Sequence, residues 1–268
     1  MKKAFQILIY IFAAIGFILV AVYAALQLGF TKTSGIIDNQ HDYFKNQTGS
    51  QTDAAWSQGE EWQVLKQAIL KDTGSINAAA QKADVKPRMI VATLIVEQLR
   101  LFYSDREVFK SIFAPLKILG NQSQFSWGVM GIKQDTAKQI ENNLKDPNSP
   151  WYPGQKYEHL LDYSATTTSP DSERFSRLTD EHDRSYSYLY AALDMKETEA
   201  QWQKAGTAIS DRPEIVATLF NIGFANSHPH ADPLPGGAQI DIGTTTYSFG
   251  GLAGDFYYSN EMTGVFPR

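Results

Sequence analysis

A carboxylate set among apolar residues is the first place in this sequence where chemistry can begin. Val91 to Arg100 reads VATLIVEQLR, and at about 100° per residue Glu97 falls in the middle of a helix face shared by Ile90, Val91, Leu94 and Leu101. Folding strips water from an acid placed there and disfavours its charged form, the condition under which a carboxyl group donates a proton near neutrality. The competing reading is structural: Glu97, near the helix end, turns to the rim and pairs with Arg100 or Arg106. Downstream, Ser126-Trp-Gly-Val-Met-Gly-Ile-Lys133 is a glycine-dense loop carrying Ser126, Gly128 and Met130, and a helix from Glu214 brings Phe220 and Asn221 to its end. Asp105 is the nearest second acid in sequence and reads as a solvated loop residue. Ser126 lacks the Gly-x-Ser-x-Gly elbow that a hydrolase serine needs. His228, His230 and Asp232 sit close together in a proline-rich loop, but with no thiolate and no second cluster they read as solvated groups, and no metal or other cofactor is expected.

The composition bounds what these residues serve. The chain has 268 residues, 43% hydrophobic and 20% charged, which is ordinary for a globular protein with a sizeable core. It has no cysteine, which excludes disulfides, a thiol nucleophile and thiolate metal sites. Ile7 to Leu26 carries no charge and, at about 1.5 Å per residue, is long enough to cross about 30 Å of hydrocarbon. Lys2 and Lys3 precede it, so a transmembrane anchor over residues 1–28 with a cytoplasmic N-terminus is expected; a signal peptide cleaved at Val22-Tyr-Ala24 is the alternative. Without those two lysines, 22 basic residues face 29 acidic ones, a formal charge of −7 on the extracytoplasmic side of the membrane. That balance argues against nucleic acid, despite a faint helix-turn-helix outline over Ala78 to Ile90.

The elements that must position Glu97 follow in order. Residues 29–58 are polar and rich in Gly, Ser, Asn and Gln, a stalk, and residues 59–268 form the domain. The spacing predicts helices over Glu60 to Lys71 and Ser75 to Ala83, then a long helix opened by Pro87. A packed loop is expected over Leu101 to Gln124, a helix capped by Asp135, one long helix over Thr179 to Ala205, and a helix from Glu214 that ends near Asn226. Alternation at Gln239 to Gly243 and Thr246 to Phe249 predicts a small β hairpin or extended arm, and Gly250 to Met262 a terminal helix. The fold class is mainly α, with no internal repeat and no βαβ alternation.

Glu97, the Ser126 loop and the Asn221 helix stand in an order that resembles the lysozyme-like superfamily, in particular the lytic murein transglycosylases and goose-type lysozymes. The family's motifs are a glutamate at a helix end, roughly Ser-x-Gly-Leu-Met-Gln-Ile with a following Thr-Ala, and roughly Ala-x-Tyr-Asn-x-Gly. The matches here are Glu97; Ser126, Gly128, Met130, Ile132 and Thr136-Ala137; and Ala217, Asn221 and Gly223. The chain departs from the pattern at Gly131, where the family has Gln, and at Phe220, where it has Tyr. The resemblance implies a lysozyme-like domain that cleaves peptidoglycan glycan strands, with Glu97 as general acid and then base. It implies that Ser126, Gly128, Met130, Phe220 and Asn221 line the sugar cleft or hold it together, and that a late tyrosine, Tyr257 or Tyr258, lies over the acid. Asp105 as a second carboxylate would favour hydrolysis over formation of a 1,6-anhydro sugar. The tether suggests local wall remodelling or service to an envelope-spanning assembly. The rival reading, favoured by Gly131 and Phe220, is a catalytically silent wall-binding or envelope-assembly component that keeps the fold.

Overall fold

The computed structural model describes residues 36–37, 54–103 and 126–268, with Gln6 and Gly16 alone before them. Contacts divide the chain into Met1–Ser34 and Gly35–Arg268, and the helices and strands that follow belong to the second unit. The expected anchor, Ile7 to Leu26, lies outside the described residues but for Gly16, and so does the candidate acid Asp105. Among the described residues, no helix is long and apolar enough to cross a membrane.

Eight α-helices carry the described residues: α1 (Glu60–Lys71), α2 (Thr73–Ala83), α3 (Pro87–Tyr103), α4 (Gln134–Asn143), α5 (Pro170–Thr179), α6 (Ser185–Lys204), α7 (Pro213–Ile222) and α8 (Phe249–Tyr258). Three two-stranded antiparallel ladders complete them, pairing β1 (Ile36–Ile37) with β4 (Gly236–Gly237), β2 (Ser126–Trp127) with β3 (Ile132–Lys133), and β5 (Gln239–Ile242) with β6 (Thr245–Ser248). The domain is mainly helical, with the hairpin expected near its end. Ile240, Ile242 and Tyr247 face the core from that hairpin, where Ile240 pairs with Tyr247.

The helix that carries Glu97 is central. Pro87 occupies its first position, where a missing N–H costs nothing, and Asp84 ends the preceding helix in a left-handed conformation with φ 56°. Helices α1, α2, α6, α7 and α8 and strand β5 all pack on α3, and 12 of its 17 residues are buried. The expected single apolar face is therefore corrected: from Arg88 to Glu97 every residue is buried, as in a helix enclosed on all sides. Alongside it, α2 presents Ile76, Ala79, Ala80 and Ala83 at helical spacing, and the short alanine side chains let α2 lie close on α6.

Charge locks the end of the chain to the start of α3. Arg88, with no exposed surface, donates all five of its N–H groups to backbone carbonyls: Nε to Tyr257, Nη1 to Glu261 and Phe266, and Nη2 to Phe256 and Ser259, at 2.8 to 2.9 Å. Burial, with the nearby Arg268 charge, pulls its pKa down to about 10.

Four boundaries differ from expectation. Trp56, assigned to the stalk, lies in a 3-10 turn (Ala55–Ser57) and is buried against Trp62 and Phe256, with ring centroids 5.2 and 6.0 Å away, so core packing begins before residue 59. The cap of α4 is Lys133, which makes no side-chain capping bond; Asp135 sits in the first turn, where a negative charge favours the helix dipole. The long helix expected over Thr179 to Ala205 begins only at Ser185, and a separate helix, α5, precedes it: Ser169 caps α5 by accepting from Ser172 N, Pro170 opens it, and Asp180 Oδ1 accepts from His182 and Asp183 N in the turn before α6. Helix α8 stops at Tyr258 rather than Met262, where the chain turns to deliver its carbonyls to Arg88.

Candidate functional site

Glu97 is 2% exposed, near the C-terminal end of α3. Arg100, one turn on, grips it from the same helix: Nη2 donates to Oε1 at 2.5 Å and Nε donates to Oε2 at 3.2 Å. Burial and the Arg100 pair, the two alternatives read from the sequence, thus occur together. Next to the acid, Gln98 Nε2 donates to the Val129 carbonyl at 2.5 Å, docking the turn between β2 and β3 on α3. Gly131 of that turn, at φ +63°, comes so close that a Cβ built on it would lie 2.1 Å from Glu97 Oε1. Glu97 and Ser126 stand 29 residues apart in sequence, and the helix of the one and the loop that begins at the other are thereby brought into contact.

The other expected site residues divide. Ser126 lies on β2, paired through its backbone with Lys133. Gly128 is an exposed turn residue at φ +64°, pressed against the Leu178 carbonyl of α5 rather than against the acid. Met130 has no exposed surface; it belongs to the core, which corrects the expectation that it lines a cleft. Phe220 is half-buried, and Asn221 Oδ1 accepts from Ala238 N at 2.8 Å, so this side chain ties the end of α7 to the segment entering the hairpin. Tyr257 is placed elsewhere: its ring packs 5.7 Å from the Arg88 guanidinium, nine residues and about 14 Å of helix rise from Glu97, so it does not cover the acid. The exposed Tyr258 feels Glu214, Arg212 and Lys86, also away from Glu97. His230 Nδ1 is 2.8 Å from the His228 carbonyl, and no group of three metal-ligating side chains occurs among the described residues.

Two concavities on the described surface also miss the acid, one along α1 between Gln63 and Lys71, the other beside Glu141 and Tyr163. Other carboxylates are buried, with structural partners or none. Burial alone would raise Glu141, but Arg174, which holds both its oxygens at 2.6 to 2.7 Å, and the hydroxyls of Tyr163 and Tyr190 outweigh it and hold the carboxyl below its ordinary range. On α6, desolvation pushes Asp194 and Glu197 well above theirs; Glu197 accepts one bond from Asn143 Nδ2 at 2.9 Å.

Sequence reasoning missed Gln98 and the role of Gly131. The signal for Gly131 was present, two glycines three residues apart in a short loop, a spacing that permits a tight turn with positive φ at both ends; Gln98 had none. Comparisons with protein families, with curated proteins and with solved structures give no match for this chain.

Proposed function

We propose that this protein cleaves the glycan strands of peptidoglycan in the manner of a lytic transglycosylase, as a lysozyme-like domain with Glu97 as the single acid and base. One observation carries the reading: the buried carboxylate at the end of the central helix is in direct contact with the Gly128 to Gly131 turn, the two leading parts of the motif set that resembles that superfamily. In the reaction, protonated Glu97 gives its proton to the glycosidic oxygen as the C1–O bond breaks, and an oxocarbenium-like centre develops at C1. The ionised carboxylate then takes the proton of the same sugar's 6-hydroxyl, whose oxygen closes on C1. A 1,6-anhydro end results, no water is consumed, and Glu97 is again protonated. No metal or cofactor enters these steps. The N-terminal apolar segment would hold the activity at the extracytoplasmic face of a membrane, near an envelope-spanning assembly if one is served.

The silent wall-binding or assembly component is kept as a second reading, because Arg100 occupies Glu97 and Tyr257 is remote from it. The full-length protein, purified in mild detergent and incubated with isolated peptidoglycan, separates the two. Muropeptides with anhydro ends are expected from the wild type and should fall by about 10² to 10⁴-fold for Glu97→Gln. Equal release by both proteins, or none from either, sinks the enzyme reading; reducing ends in place of anhydro ends would change the product to that of a hydrolase.

A further inference from the structure

We infer that Arg100 is a specificity-determining residue, which holds Glu97 until a carboxylate-bearing sugar takes its guanidinium away, so that the site selects acidic glycans over neutral ones. The inference rests on the proposed function for its substrate class. Its physical basis is the order in which the groups stand. The Glu97 side chain is 3% exposed and that of Arg100 12%, so the guanidinium is the more accessible member of the pair. The carboxylate is closed on another side by Gly131, so close that not even a Cβ fits. Among the described residues, Arg100 is the polar side chain bonded to Glu97, through both oxygens.

Both oxygens of Glu97 are taken up by the guanidinium, and a buried pair is expensive to part when nothing replaces it. A neutral sugar offers the guanidinium only hydroxyl and amide oxygens, and would leave a positive charge without a counter-charge. A sugar carrying a carboxylate offers the same planar, two-oxygen partner that Glu97 supplies, so one charge-assisted pair is exchanged for another. Glu97, freed of the guanidinium, is then open to the glycosidic oxygen. The fitting ligand is a glycan whose sugar bears a lactyl carboxylate, such as a muramic acid residue without its peptide. Its uncharged counterpart is an N-acetylglucosamine oligomer of the same length.

Binding tests this independently of turnover. Affinities for an alternating N-acetylglucosamine–N-acetylmuramic acid tetrasaccharide and for chitotetraose would be measured by calorimetry on the full-length wild type, Glu97→Gln, and Glu97→Gln combined with Arg100→Gln. Glu97→Gln leaves the guanidinium without its carboxylate, so the acidic tetrasaccharide should bind at least about tenfold more tightly than to the wild type, and chitotetraose about equally. Removing Arg100 as well should abolish the preference for the acidic ligand, and Arg100→Lys should restore part of it through charge without the fork. If Arg100→Gln fails to fold by near-ultraviolet circular dichroism, Arg100→Lys carries the comparison. In turnover, Arg100→Gln should raise kcat on the neutral substrate and KM on the acidic one, a split that loss of packing would not give. Equal affinities for the two ligands in Glu97→Gln, or a preference that survives loss of Arg100, overturn the inference. An Arg100-dependent preference without cleavage by the wild type would overturn the enzyme and leave the acidic-glycan site standing.

Discussion

Gly131 stands where the resembled motif carries glutamine, and the reason is space. Its Cα lies against the Glu97 side chain, with a built Cβ only 2.1 Å from Oε1, 2.6 Å from Cδ and 3.0 Å from Cγ. Any side chain at 131 must therefore move the acid, and must also adopt a φ of +63° that costs a non-glycine residue about 1 to 2 kcal/mol. Restoring the glutamine is thus expected to do harm. Gly131→Gln should lower the unfolding free energy by about 1 to 3 kcal/mol in denaturant titration and cut the proposed glycan cleavage by about tenfold or more, because the Glu97–Arg100 geometry is displaced. If instead the missing polar group were what limits this site, the same substitution would raise activity, and muropeptide release decides between the two. Gly131 was legible as a departure from a motif but not as a contact: a sequence shows that a side chain is missing, whereas only packing shows what fills the gap.

At the scale of elements, the position of α3 depends on a residue that sequence reasoning passed over. Arg88 is the second residue of that helix, and its five N–H groups bond to five carbonyls between Phe256 and Phe266. Replacing it with Met keeps roughly the length and volume of the stem and strands those carbonyls, each costing about 1 to 3 kcal/mol if left dry. Arg88→Met is therefore expected to cost about 5 kcal/mol or more, seen as a lower denaturant midpoint and as early proteolysis of the segment after Tyr258. Arg88→Lys should recover little, since three donors on a flexible stem cannot reproduce a planar fork with five. The same contact explains why Tyr257 was misplaced: Arg88 draws the end of α8 to the start of α3, whereas Glu97 lies near that helix's other end. Elements with strong apolar periodicity or a proline start, α1, α2, α3 and α7, were readable, as was the alternating hairpin. Helix α5 was not, because PDSERFSRLT has little apolar repeat and is held by polar means, a serine cap at Ser169 and the Arg174–Glu141 pair.

At the scale of the whole chain, the unit from Gly35 to Arg268 hides carboxyl groups that the net charge of −5 does not reveal. Asp194 and Glu197 are raised well above their ordinary range by desolvation, and Asp255, desolvated on α8 with Oδ1 buried and unbonded, is raised to about 7. A raised carboxyl group binds its proton more tightly in the folded chain than in the unfolded one. Its contribution is thus fully present below the unfolded value and is lost as pH rises toward the folded one. For Asp255 that window runs from 3.8 to about 7, and the loss across it is at most about 4 kcal/mol, less to the extent that solvent reaches the group. Glu141 and Asp171, held below their ordinary values, act in the other direction: their stabilisation is present above the unfolded value and is lost as acid protonates them. Stability should therefore peak at about pH 5 and decline toward pH 8, which guanidinium titrations at several pH values will show as a falling midpoint at constant slope. Asp255→Asn should be more stable than the wild type at pH 8, little changed at pH 4, and flatter in between. A wild-type midpoint that rises from pH 5 to pH 8 would mean that these acids find cationic or hydrated partners on ionising, and that the folded chain does not keep them protonated.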